Sequence, residues 1–200
     1  MINLPEDIKV PELVDENGRS IACQLVETDG GRKALAYVEN IPAKGYKSYK
    51  IREAGKTNIQ DNNIVVERNL MENRFFRVDL DEKGTITSLY DKVNERQVLM
   101  ANERGNRILA FEDRPMNWEN WDIDIFYQEK MWEVDDVQSL EVVERGPVRG
   151  CLRITRKFLD SVIIQDMIIY SDIPRLDFST QVDWKEDQIL LKAAFPVDVH

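Results

Sequence analysis

The 200-residue sequence predicts an all-β fold: a small β domain followed by part of a large antiparallel β-sandwich. Apolar and polar residues alternate along most of the chain, almost no segment sustains a helical period, and turn residues recur about every ten to twelve positions. The clearest alternation is at residues 175–184. Leu176, Phe178, Thr180, Val182 and Trp184 share one face, and Arg175, Asp177, Ser179, Gln181 and Asp183 share the other, as in a strand with one dry and one wet side.

In chain order, residues 8–14, 21–27, 34–38 and 46–52 read as short strands, separated by Asn17-Gly18, Asp29-Gly30-Gly31 and Ala43-Lys44-Gly45. The polar stretch 53–63 reads as a linker, dividing the chain into a small β domain (1–56) and a large one (57–200). Residues 74–80 and 85–90 form a hairpin closed by Asp81-Glu82-Lys83-Gly84, with Gly84 in the left-handed position. Residues 140–144, 148–158, 162–170, 175–184 and 189–195 are strands joined by short turns, giving an antiparallel meander of four or five strands. The run 162–170 is apolar on both faces, as a central strand is. The chain stops beside an apolar strand, which implies an edge needing a neighbour and a sandwich truncated at its C-terminus.

Composition narrows the function. Acidic residues outnumber basic ones 37 to 27, for a net charge of -10, which argues against nucleic-acid or anionic-membrane partners. No stretch approaches the ~20 apolar residues of a membrane span. Residues 1–10 lack the basic end and apolar run of a signal peptide. Cys23 and Cys151 read as two reduced, buried thiols, so a cytoplasmic location is expected. The one histidine, His200, and two cysteines supply no metal-ligand pattern.

The most unusual composition lies at residues 111–132, which hold three of the four tryptophans. Aromatic rings beside carboxylates suit carbohydrate: a sugar's apolar face stacks on a ring and its hydroxyls need acceptors. If the segment from Trp121 is a strand, Trp121, Ile123, Ile125 and Tyr127 share a face, and Asp122 and Asp124 point together to the other, about 6–7 Å apart. Such a pair would hold a cation or sugar hydroxyls, or act as a glycosidase pair. The alternative is a solvated strand face beside a structural tryptophan cluster, and both readings stand at this point.

A set of motifs then occurs in a telling order. Glu72-Asn73-Arg74-Phe75-Phe76-Arg77-Val78 is followed by Gly84-Thr85-Ile86-Thr87-Ser88-Leu89-Tyr90-Asp91-Lys92, Glu112-Asp113, and Trp118-Glu119-Asn120-Trp121-Asp122. Gly146-Pro147-Val148-Arg149, Arg175-Leu176-Asp177-Phe178 and Leu191-Lys192-Ala193-Ala194-Phe195-Pro196-Val197 complete it. This order resembles the C-terminal half of family 38 glycoside hydrolases, the retaining α-mannosidases, in their bacterial and cytosolic branch.

The resemblance implies a β-sandwich of the galactose-mutarotase-like supersandwich type and a parent enzyme that hydrolyses α-mannosides. It also implies that zinc, held by histidines and aspartates, and the aspartate nucleophile belong to an N-terminal α/β catalytic domain whose motifs are absent here. No catalytic residue or metal ligand is therefore assigned, and this stretch alone is expected to be inactive. The implied partners are the parent's own catalytic domain and an α-mannoside. The residues expected to border the sugar are Trp118, Trp121, Asp122 and Asp124, with Asp113 and Arg114 in support. A free-standing carbohydrate-binding module and a structural sandwich that oligomerises are the alternative readings.

Overall fold

A computed structural model describes residues 1–5, 7–28, 30–54, 63–118 and 121–199. The expected linker boundary near residue 56 falls outside them.

The N-terminal strands are β1 (Ile2–Asn3), β2 (Pro11–Asp15), β3 (Ser20–Ile21), β4 (Cys23–Thr28), β5 (Gly31–Ala36) and β6 (Tyr49–Glu53). They make two antiparallel sheets, β1-β5-β4 and β3-β2-β6. Leu13, Cys23 and Ala34 are buried between them, with Ile21, Tyr49 and Ile51 packed against that cluster.

The larger part begins with β7 (Val65–Val66), β8 (Leu70–Glu72), β9 (Phe76–Leu80), β10 (Ile86–Asp91) and β11 (Arg96–Gln97). These form one sheet in the order β11-β10-β9-β8-β7. Strands β14 (Asp136–Arg145), β15 (Arg149–Phe158), β16 (Ser161–Tyr170) and β17 (Leu176–Asp183) form the meander β14-β15-β16-β17. Period-2 alternation aims Leu152, Ile154, Met167 and Ile169 from the meander at Met71, Val78, Leu80 and Ile86 from the facing sheet, and all are buried in one core. The hairpin at residue 84 is as expected: Gly84 has φ 70 and a Cβ there would lie 2.4 Å from Ile154 Cδ1.

The meander has four strands, the lower of the two numbers expected: the fifth candidate, β18 (Ile189–Ala194), pairs instead with β12 (Arg107–Glu112), which also pairs with β13 (Met131–Glu133). One expectation is corrected. The dry face of 175–184 is dry for only part of its length. Leu176 and Phe178 pack on the core, but Thr180 is exposed and Val182 is 43% exposed. The alternation is real, but β17 is the sheet's edge strand and its distal end is left uncovered.

A buried cation braces the sandwich. Arg156 is 2% exposed. It donates to the Lys83 carbonyl at 3.0 Å and to Gln165 Oε1 at 3.4 Å. Asn106 Nδ2 donates to the same Gln165 oxygen at 2.8 Å. Burial pushes the Arg156 guanidinium down to about 10. The two thiols are buried and unlinked to each other, and burial raises Cys23 to about 11 and Cys151 to about 12.

Gln24 joins the N-terminal sheets to the sandwich. Its Oε1 accepts from the backbone N–H of Val148 at 3.2 Å and of Arg149 at 2.9 Å. Its Nε2 donates to Glu144 Oε2 at 2.9 Å, and Glu144 also takes both arms of Arg149 at 2.6 Å. Gly146 makes room, since a Cβ there would sit 2.1 Å from Gln24 Cδ. Gln24→Ala leaves buried groups without partners and should cost about 1–3 kcal/mol. Gly146→Ala should also destabilise, yet cost distinctly less in the Gln24→Ala background, where the clashing atoms are gone. Denaturant unfolding of the four species measures this; strict additivity would show that Gln24 does not fill the space above Gly146.

Candidate functional site

The tryptophan-bearing segment is the connection between β12 and β13, which pair through Leu109↔Glu133, Ala110↔Trp132 and Phe111↔Met131. Its base is anchored. Asp113 N–H donates to the Gln188 carbonyl at 2.8 Å, just before β18. Tyr127 packs edge-on against Phe111 at 5.3 Å, and Lys192 of β18 lies 3.7 Å from the Tyr127 ring centre. Hydrogen bonding to Lys192 is the main cause that holds the Tyr127 phenol below its ordinary range.

The strand expected from Trp121 onward is not formed. Residues Ile125–Glu129 make a 3-10 turn instead, opened by a hydrogen bond from Tyr127 N–H to the Asp124 carbonyl at 3.1 Å. The alternation there reflects a turn docked through Tyr127, with Ile123, Ile125 and Phe126 exposed. Asp122 and Asp124 therefore do not form a strand-face pair.

Asp124 is engaged inside the loop, where its Oδ2 accepts the Met116 N–H at 2.7 Å. Trp118 adopts φ 63, an uncommon conformation for a bulky residue. Its carbonyl accepts from Trp121 N–H at 2.9 Å and Asp122 N–H at 3.0 Å. Trp118 is 75% and Trp121 89% exposed. Asp122 is exposed as well. Arg114 is spent on Glu112, at 3.2 Å.

The other two tryptophans behave differently. Trp132 packs edge-on to Phe158 at 6.2 Å, and Trp184 stacks on the same ring at 6.0 Å. They form a structural aromatic cluster, with which Trp118 and Trp121 make no ring pairing among the described residues.

The pairing of β12 with β18 also brings Asp113 beside the turn that joins β17 to β18. Asp113, Trp184, Glu186 and Asp187 line an open cleft of about 750 Å³. Asp113 Oδ1 is buried there and has no hydrogen-bond partner among the described residues. Glu186 is committed to Asp160 N–H at 3.0 Å and Ser161 Oγ at 2.8 Å. Only the long-range register Phe111↔Leu190 and Glu112↔Ile189 reveals this grouping. Among the described residues no three or more His, Cys, Asp or Glu side chains group as a metal site. No helix among them is long and apolar enough to cross a membrane.

With sandwich and loop in place, comparison with known proteins gives the class. Residues 71–200 match the family model for the glycosyl hydrolases family 38 C-terminal domain. The chain belongs to this family. It is 27% identical over 170 residues to alpha-mannosidase G of Dictyostelium discoideum, covering 76% of this chain and 16% of that protein. It is 27% identical over 188 residues to human alpha-mannosidase 2C1, covering 90% of this chain and 18% of that protein. The mouse alpha-mannosidase 2C1 is 28% identical over 131 residues, covering 64% and 13%. The chain thus spans less than a fifth of the length of these relatives.

Asp124→Ala should free the Met116 N–H and loosen the loop, raising its limited-proteolysis rate severalfold while the sandwich's melting temperature moves little. Asp124→Asn keeps an acceptor oxygen and should restore protection. Equal proteolysis of all three proteins would remove Asp124 as the clasp.

Proposed function

We propose that this chain is the non-catalytic C-terminal β region of a retaining α-mannosidase. It supports the catalytic domain of the parent enzyme, and its tryptophan-bearing loop borders the sugar site. The observation that carries this reading is the family match over residues 71–200, joined to relatives that are each named alpha-mannosidase and are each several times longer. Zinc and the nucleophile belong, on this reading, to the portion outside this chain.

The loop's geometry supports its part in the reading. A pyranose presents an apolar face that stacks on an aromatic ring, and Trp118 and Trp121 offer rings open to solvent. Asp122 supplies an acceptor for hydroxyls beside them. Asp124 acts through loop shape, Arg114 through Glu112, and Asp113 at the loop's anchored base. The acidic surface keeps nucleic acid and anionic membrane away. Two reduced, buried thiols suit a reducing cytoplasm.

The isolated chain, supplied with zinc and p-nitrophenyl α-mannoside, should give no turnover above the blank; measurable turnover contradicts the reading. In the parent enzyme Trp121→Ala should raise KM about 2–12-fold, the worth of one aromatic contact, with kcat nearly kept. An unchanged KM takes the loop out of the sugar site.

A further inference from the structure

A second cleft, of about 350 Å³, lies where the N-terminal sheets meet the sandwich, within the ~300–1,000 Å³ range of ligand clefts. One wall carries Asp15, Tyr37, Asn40, Lys47 and Tyr49. The other carries Val148, Ser171 and Asp172. The walls are fixed relative to one another by Gln24, whose Oε1 accepts from the N–H groups of Val148 at 3.2 Å and Arg149 at 2.9 Å. The cleft is therefore preformed.

Its chemistry selects a ligand class. The lining holds the carboxylates of Asp15, Glu39 and Asp172 against one ammonium, Lys47, which donates to the Glu39 carbonyl at 2.9 Å, so an anionic ligand is repelled. A metal ion is not favoured either, because Asp15 and Asp172 are already engaged. Asp15 Oδ1 accepts from the N–H groups of Asn17 at 2.9 Å and Arg19 at 2.8 Å. Asp172 pairs with Arg74 at 3.2 Å and Ser171 Oγ at 2.7 Å. Each carboxylate still has lone pairs for hydroxyl donors, and Asn40 offers an exposed amide. Tyr37 and Tyr49 are half-buried rings. Tyr37 also borders an adjoining apolar recess of about 70 Å³ lined by Leu35, Val148 and Ile173. The fitting ligand is neutral, rich in hydroxyls and apolar on one face.

We propose that this junction cleft binds a neutral saccharide, with one pyranose ring against Tyr37 and Tyr49 and its hydroxyls on Asp15, Asn40 and Asp172. The site rests on the cleft's own chemistry; only the choice of a mannoside as first probe rests on the proposed function.

The test is an amide NMR titration of the chain with methyl α-mannoside, methyl α-glucoside and mannose 6-phosphate. Saturable shifts at Ala22, Asn40 and Ser171 at millimolar concentration are expected for at least one neutral glycoside, with the phosphate at least about fivefold weaker. Tyr37→Ala should weaken binding about fivefold or more. Asn40→Gly, which keeps the positive φ of 53 without the amide, should weaken it severalfold with the fold intact. Trp121→Ala should leave the junction shifts unchanged. Shifts confined to residues near Trp118 and Trp121, tighter binding of the phosphate, or no junction shifts with any probe would overturn the proposal. Glucoside binding in preference to mannoside supports the cleft equally, and the mannoside reading is tested separately by the parent enzyme's turnover.

Discussion

The apolar layer closed between the β14–β17 meander and the β7–β11 sheet is the contact on which the rest of the molecule depends. Each buried Leu, Ile or Met side chain in it contributes about 1.5–3 kcal/mol, and Leu152, Ile154, Met167 and Ile169 are essentially inaccessible. The polar groups in and around it satisfy the backbone that the layer encloses: Arg156 holds the 81–84 turn through the Lys83 carbonyl, and Gln165 holds Asn106. Once the layer is closed, the β14–β15 turn is fixed at Gly146. That turn receives Gln24, so the position of the N-terminal sheets follows from the sandwich.

The aromatic cluster of Trp132, Phe158 and Trp184 extends the same logic on the other side. It packs against the core formed by Ile108, Ala110, Val134 and Ile163, which fixes β12 and β13 and hence the base of the tryptophan loop. Rigidity at the base and exposure at the tip are the combination a ligand-facing loop needs. On the proposed reading, this region of a family 38 glycosyl hydrolase presents aromatic surface while the chemistry is done elsewhere in the parent enzyme.

Much of the fold was legible from alternation and turn chemistry. The strands β14 to β18, the hairpin closed by Gly84 and the central place of β16 all appear close to where the sequence puts them. What the pattern did not carry was partner choice. Nothing local in 189–195 shows that it pairs with β12 instead of β17, and nothing local in 175–184 shows where the facing sheet ends. The tryptophan segment misled for another reason: alternating residues also occur in a 3-10 turn whose conformation is set by Tyr127 against Phe111 and Lys192, contacts made at long range. The sequence picked out Trp118 and Trp121 by composition, but the clasp role of Asp124 and the grouping of Asp113 with Trp184 required the register.

The central claim is that a family 38 enzyme needs this β region without drawing any reacting group from it. Complementation in trans tests it most directly: the remainder of the parent α-mannosidase is produced without this region, and its rate of α-mannoside hydrolysis is measured before and after adding the separate 200-residue chain. The account predicts a remainder of low activity that recovers when the chain is added, with the chain inactive by itself. A remainder that is fully active alone, or a chain that hydrolyses the substrate unaided, would contradict it.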